Sequence, residues 1–301
     1  MATAMVNGVK LYYEVTGEGL PLVLSHEFMG TYKSWEPQVR FFSRRYQVIT
    51  YNHRGFPPSE VPEEPSAYSQ EILVEDLYQL LRHLGIEQAY IGGLSMGGNV
   101  ALNFGIAHPD MAKALVVAAT GAGTADHEQF AAEAEQMAQL FEAEGVKAVA
   151  DLITRKTPRI QLLRKDPRGW QEFYDDFLTH SATGSANTLR GVQMKRPVIY
   201  ALESKLHQLT VPTLIMVGDE DDASIEPAIF LKRNISGSGL VVFRQSGHAI
   251  NLEEPDIFNW SVLDFLTSVE AGKWATHEPQ RERRTVFGTS IPSSPPEKER
   301  Y

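Results

Sequence analysis

Four short runs constrain this chain more than any other feature: PLVLSH (21–26), YQVITYN (46–52), AYIGGL (89–94) and ALVVAAT (114–120). Each is apolar on both parities. A strand built from such a run buries both faces, as the strands of a parallel sheet do. Helical patterns lie between them. In ILVEDLYQLLRHLG, Leu73, Leu77, Leu80, Leu81 and Leu84 recur on one stripe, and Gly85 ends the run. Strand alternating with helix predicts an α/β fold, a mostly parallel central sheet with helices on both faces. VKLYYEV adds an early strand, and TLIMVGD and LVVFRQS add two late ones.

The alternation breaks after Thr120. From about Gly121 to His207 the pattern is wholly helical, as in HEQFAAEAEQMAQLFEAEGVKAVADLI and WQEFYDDFLTH. The predicted organisation is a first core part over 1–121, an inserted helical cap over 122–207, a second core part over 208–270, and an extension over 271–301. That extension is polar and proline-bearing, so it is expected to pack weakly or dock elsewhere. In the closing helix PDIFNWSVLDFLTSVE, Ile257, Phe258, Leu263 and Leu266 are the expected core residues.

The 301 residues suit one large domain with an insertion. A net charge of −10 argues against a nucleic-acid partner, because phosphate binding needs a basic surface. The absence of cysteine removes disulfides, thiolate zinc sites and cysteine nucleophiles, and fits a reducing cytosol. No stretch approaches the roughly 18 consecutive apolar residues of a membrane span. MATAMVNGVK lacks the basic start and apolar core of a signal peptide. A cytoplasmic protein without a membrane partner is expected.

Between AYIGGL and the helical MGGNVALNFGIA stands Ser95, within Gly93-Leu94-Ser95-Met96-Gly97. This is G-x-S-x-G on a strand–turn–helix, the context a nucleophile elbow requires. Glycine two residues to either side lets strand and helix approach closely. The hydroxyl then stands at a helix start, with the Met96 N–H beside it to meet an oxyanion. A phosphate loop would need G-x-x-x-x-G-K-[ST], or G-x-G-x-x-G opening the first helix, and neither is present.

A serine nucleophile needs a histidine to take its proton and a carboxylate to orient that histidine. On such a sheet the order is Ser, then Asp or Glu, then His, on loops after late strands. TLIMVGDEDD ends a strand in Asp219, Glu220, Asp221 and Asp222, and the next strand ends in Gly247-His248. Asp221 and Asp222 both qualify as the acid, while Asp219 and Glu220 suit solvation of the loop. A hard-cation site would spread its ligands over a defined loop, so no metal is expected here. His108, in AHPD, reads as a helix end. His83, His127, His180 and His207 carry no motif.

The elbow GLSMG, the loop GDED, the segment SGHAINLEEP and the turn NHRGFPPS together resemble the α/β-hydrolase superfamily. The resemblance is to its branch of cap-bearing serine esterases, enol-lactonases and C–C bond hydrolases, over roughly Val6 to Glu270. It implies Asp221 as the acid, His248 as the base, and the backbone of Phe28 as the oxyanion donor beside Met96. Glu27 stands where the family usually has glycine. A carboxylate near an oxyanion site is unfavourable unless its side chain turns away. Glu27 is therefore expected to be salt-bridged or solvated, with contact to substrate or a pocket water as the alternative. Asn52 replaces a frequent Asp, and Arg54-Gly55 reads as a structural turn.

In the helical insertion, Met137, Leu140, Phe141, Tyr174 and Met194 fall on apolar stripes, and Trp170, Phe173 and Phe177 are candidates for the pocket wall. The resemblance implies no cofactor and a small-molecule ester or lactone with an apolar part. It leaves open a homo-oligomer, with TVFGTSIP as a swapped arm or a loose end. The function expected is hydrolysis of a carboxylic ester or lactone through an acyl-enzyme. The alternatives are a C–C bond hydrolase of ring-cleavage diketones and a low-turnover receptor on the same fold. Epoxide hydrolases and haloalkane dehalogenases are disfavoured, because they carry Asp at the elbow.

Overall fold

The computed structural model describes residues 2–121, 127–154 and 159–275. Its strands are β1 Ala2–Val6, β2 Val9–Thr16, β3 Leu20–Ser25, β4 Tyr46–Tyr51, β5 Ala89–Leu94, β6 Ala112–Ala118, β7 Thr213–Gly218 and β8 Ser238–Phe243. Its α-helices are α1 Glu36–Phe42, α2 Gln70–His83, α3 Met96–Ala107, α4 His127–Ile153, α5 Ile160–Lys165, α6 Pro167–Phe177, α7 Ala182–Thr188, α8 Glu203–Gln208, α9 Asp222–Asn234, α10 Ile250–Glu253 and α11 Pro255–Glu270. The strands form one sheet in the order β1-β2-β4-β3-β5-β6-β7-β8. Only β1–β2 and β2–β4 pair antiparallel.

The doubly apolar runs behave as expected: β5 and β7 are buried at every position. Their alternate side chains serve two cores. Val23, Ile91, Val117 and Ile215 meet Leu77, Leu80 and Leu102 on one face. Leu22, Leu24, Tyr90, Val116 and Met216 meet Trp35, Phe42, Phe258 and Leu266 on the other. Hydrophobic burial on both faces ties the centre of the sheet to both helical layers.

β1 lies outside the strands expected from the sequence. It joins β2 through Asn7-Gly8, whose φ values of 48° and 74° make the tight turn that an Asn-Gly pair favours. Ile257 is corrected: it is 38% exposed, whereas Phe258, Leu263 and Leu266 are buried. The buried stripe of α11 runs through Phe258, Val262 and Phe265, and Ile257 falls one residue off it.

Between β6 and β7 the described residues are helical, from α4 to α8. α4 is kinked at Gly145, where φ is 80°. These helices have their own apolar cluster around Phe141, Trp170, Phe173 and Phe177, which reaches the sheet's loops at Met29 and Ala249. After α11 the extension begins by docking. Trp274 stacks edge-on against Phe265 at 4.6 Å, and its Nε1–H donates to the Gly237 carbonyl at 2.8 Å. TVFGTSIP lies outside the described residues. No described helix is long and apolar enough to cross a membrane.

Candidate active site

Ser95 occupies the single residue between β5 and α3, at φ 56° and ψ −111°. A non-glycine residue in this region is strained and persists only where its surroundings force it. Two backbone bonds do so: Ser95 N–H donates to the Ala118 carbonyl at 2.8 Å, and Asn99 N–H donates to the Ser95 carbonyl at 3.0 Å. The flanking glycines are required by contact. A Cβ at Gly93 would sit 2.1 Å from the Gly97 oxygen, and one at Gly97 would sit 2.0 Å from the Ser25 oxygen.

Asp221 lies in the turn after β7, buried at 1% exposure, as the cap residue of α9. Its Oδ2 is 2.7 Å from His248 Nδ1. Burial alone would raise the Asp221 carboxyl. The neighbouring His248, the Ser224 hydroxyl and the more distant Arg159 outweigh it and hold the group below the usual carboxylate range. An ionised Asp221 only accepts, so Nδ1 carries the proton, and in the neutral ring Nε2 is left as the acceptor. Asp222 is exposed, at the first position of α9, and does not share this contact. Asp219 and Glu220 do more than solvate the loop. Asp219 Oδ1 accepts from Ser246 N–H at 3.1 Å, and Glu220 accepts from Gln161 Nε2.

Ser95, His248 and Phe28 line one cavity of about 550 Å³. Its apolar wall includes Phe130, Met137, Ile153 and Leu189, and its polar lining includes Gln193, Arg196 and Tyr200. Trp170, Phe173 and Phe177 do not line it. They face inward, into the apolar cluster of the helices that contain them.

Glu27 is also absent from the cavity wall. It is buried at 1% exposure and ion-paired by both oxygens to Arg159, with Nη1 to Oε1 at 3.0 Å and the second contact between Nη2 and Oε2. Burial pushes its carboxyl up, but Arg159, with lesser help from His248 and His26, holds it below its ordinary value. The expected salt bridge is present and the expected solvation is not. His26, next to it, is locked neutral: burial pushes it down to about 4. Its Nδ1–H donates to the Glu27 carbonyl at 2.7 Å, and its Nε2 accepts from His53 N–H at 3.1 Å. Asn52 acts as a loop strut, accepting from Tyr32 N–H at 2.7 Å and donating to the Pro57 carbonyl at 2.7 Å. Arg54 grips the buried Asp76 through Nε at 2.6 Å and Nη2 at 2.5 Å, which bears out its structural reading.

Two further groups were not singled out in the sequence. Glu253 spans the loop of His248: Oε2 accepts from Gly247 N–H at 2.6 Å and Oε1 from Ala249 N–H at 3.1 Å. Burial raises its carboxyl despite these bonds. It stands in SGHAINLEEP, five residues past the histidine, so its position was legible though its task was not. The second is α5 with its preceding residue. Arg159 reaches Glu27, Gln161 reaches Glu220, and Lys165 reaches Ser246 at 3.1 Å and Glu254 at 2.6 Å. Among the described residues, no three His, Asp or Glu side chains come together as a metal site requires.

Comparison with known proteins identifies the family and the fold. A 3-oxoadipate enol-lactonase from Acinetobacter baylyi is 28% identical over 86% of this chain and 94% of its own. The crystal structure of the enol-lactonase from Burkholderia xenovorans LB400 superposes with a TM-score of 0.79 at 28% identity, covering 88% of this chain and all of that one. A thermophilic esterase from Thermogutta terrifontis gives a TM-score of 0.81 at 27% identity, over 89% and 98% of the two chains. The family model described as the alpha/beta hydrolase fold matches residues 21–255, and the chain belongs to that family of hydrolases.

Proposed function

We propose that this chain is a serine hydrolase of carboxylic esters or lactones, with Ser95 as nucleophile, His248 as base and Asp221 as its orienting acid. The observation that carries the reading is a conjunction. A strained serine and a histidine with its Nε2 left as the acceptor line one cavity, and the histidine's other nitrogen is fixed by a buried carboxylate. In this mechanism Ser95 Oγ attacks the carbonyl carbon as His248 Nε2 takes its proton. The N–H groups of Phe28 and Met96 hold the oxyanion. His248 returns the proton to the departing alkoxide, leaving an acyl-Ser95. Water then repeats the sequence, freeing the acid and restoring the serine.

Helices α4–α8 serve as the cap, roofing the cavity with Phe130, Met137, Ile153 and Leu189. The enol-lactonase and esterase relatives support the choice of substrate class. An unpaired carboxylate beside the oxyanion site would favour the low-turnover receptor; the pairing of Glu27 with Arg159 neutralises that charge and supports the hydrolase reading instead. The test is turnover of p-nitrophenyl acetate and butyrate with fluorophosphonate labelling, wild type beside Ser95→Ala. Wild type should turn over and label, and the variant should do neither. Equal labelling of the two refutes Ser95 as nucleophile.

A further inference from the structure

Arg196 lines the cavity that holds Ser95 and His248. Its Nε is buried without a hydrogen-bond partner, and its side chain makes no ion pair among the described residues. Three other arginines differ in this respect. Arg54 is paired to Asp76, Arg159 to Glu27, and Arg190 to Glu135 and Glu142. The side chain is half-buried, with Nε its buried part, and that burial lowers the guanidinium pKa to about 10. Among the described residues, none uses its side chain as a strut. A cation kept unpaired in a cavity wall suits a partner that arrives with the ligand.

We propose that Arg196 binds the free carboxylate of the substrate, so that the ester or lactone cleaved at Ser95 is itself an anion. This deepens the hydrolase reading and rests on it. The planar guanidinium offers a two-pronged match to a carboxylate. The rest of the wall fits a short hydrocarbon spacer: Phe28, Phe130, Met137, Ile153 and Leu189 are apolar. Arg196 and Ser95 line the same cavity of about 550 Å³, so a carboxylate at the one and a carbonyl at the other can belong to one small molecule. Glu133, Asp222 and Glu226 also line the cavity, but they are exposed, and water and salt screen them more than the half-buried arginine.

The experiment compares p-nitrophenyl hemiglutarate with its neutral isostere, p-nitrophenyl 5-methylhexanoate, on wild type, Arg196→Met and Arg196→Lys. The ratio of kcat/KM for the anionic over the neutral ester should fall about tenfold or more in Arg196→Met and less in Arg196→Lys. Removing a half-buried charge that holds no ion-pair partner should leave the thermal midpoint of Arg196→Met at or above wild type, which a structural arginine would not do. An unchanged ratio, with both esters turned over, overturns the proposal and leaves Ser95 as nucleophile. If neither ester is turned over and Ser95 does not label, the hydrolase reading fails separately. Calorimetric titration of glutarate then decides the anion site: binding to wild type that is lost in Arg196→Met upholds it, and absence of binding overturns it.

Discussion

Replacing Arg159 by methionine would leave the Glu27 carboxylate buried at 1% exposure with no counter-charge. Breaking one side of a buried pair costs about 3–5 kcal/mol, a large share of a typical stability of about 5–15 kcal/mol. Removing both charges together, as in Glu27→Leu with Arg159→Met, should restore most of that loss, because no uncompensated charge remains. The measurement is urea denaturation followed by circular dichroism for the two single variants and the double variant. The pH dependence has a fixed sign. In the wild type Glu27 titrates low, so the pair stabilises above the unfolded carboxylate range and that contribution fades as acid protonates Glu27. In Arg159→Met burial is opposed only by the lesser influence of His248 and His26 and raises the carboxyl, so the penalty grows as pH rises. The gap between wild type and variant should therefore widen from pH 5 to pH 8. Single effects that simply add, within about 0.5 kcal/mol, or a gap that ignores pH, would refute the reasoning.

Other outcomes follow from the same geometry. Asp221→Asn should lower kcat by about 10³–10⁴-fold by fixing the wrong imidazole tautomer, while Asp222→Asn stays near wild type in steady-state assays. Glu253→Ala frees the two amides that bracket His248, and should lower kcat with little change in KM. Gly97→Ala drives a methyl into the Ser25 carbonyl and should fail to give soluble protein. Gly98→Ala meets mainly the movable Thr120 hydroxyl and should melt closer to wild type.

The parts written in the sequence were those with a local period or a local constraint. β5 and α3 were legible because burial on both faces and a glycine-flanked turn are properties of adjacent residues. The Asn7-Gly8 turn is an equally local signal. ATAMV before it is short, with one face exposed and small side chains on the other, so β1 emerges only from its pairing with β2. The stripe carrying Trp170, Phe173 and Phe177 announces a buried face but not what it is buried against. That face meets its neighbouring helices rather than the cavity. The partner of Glu27 lies 132 residues away, and no spacing rule connects them. Arg196 is the second of two adjacent basic residues, set between Met194 and Val198-Ile199, and its lack of a partner exists only in three dimensions.

The short segment Arg159–Lys165 touches the loop of Glu27, the loop of Glu220 and Asp221, and the loop of Ser246 and His248. Those loops follow β3, β7 and β8, and only β7 and β8 are neighbours in the sheet. They are stitched from above by one piece of chain. Displacing the segment from one loop should therefore loosen its hold on the other two. Their amides should share a single opening free energy in native-state hydrogen exchange, as one cooperative unit distinct from the sheet beneath.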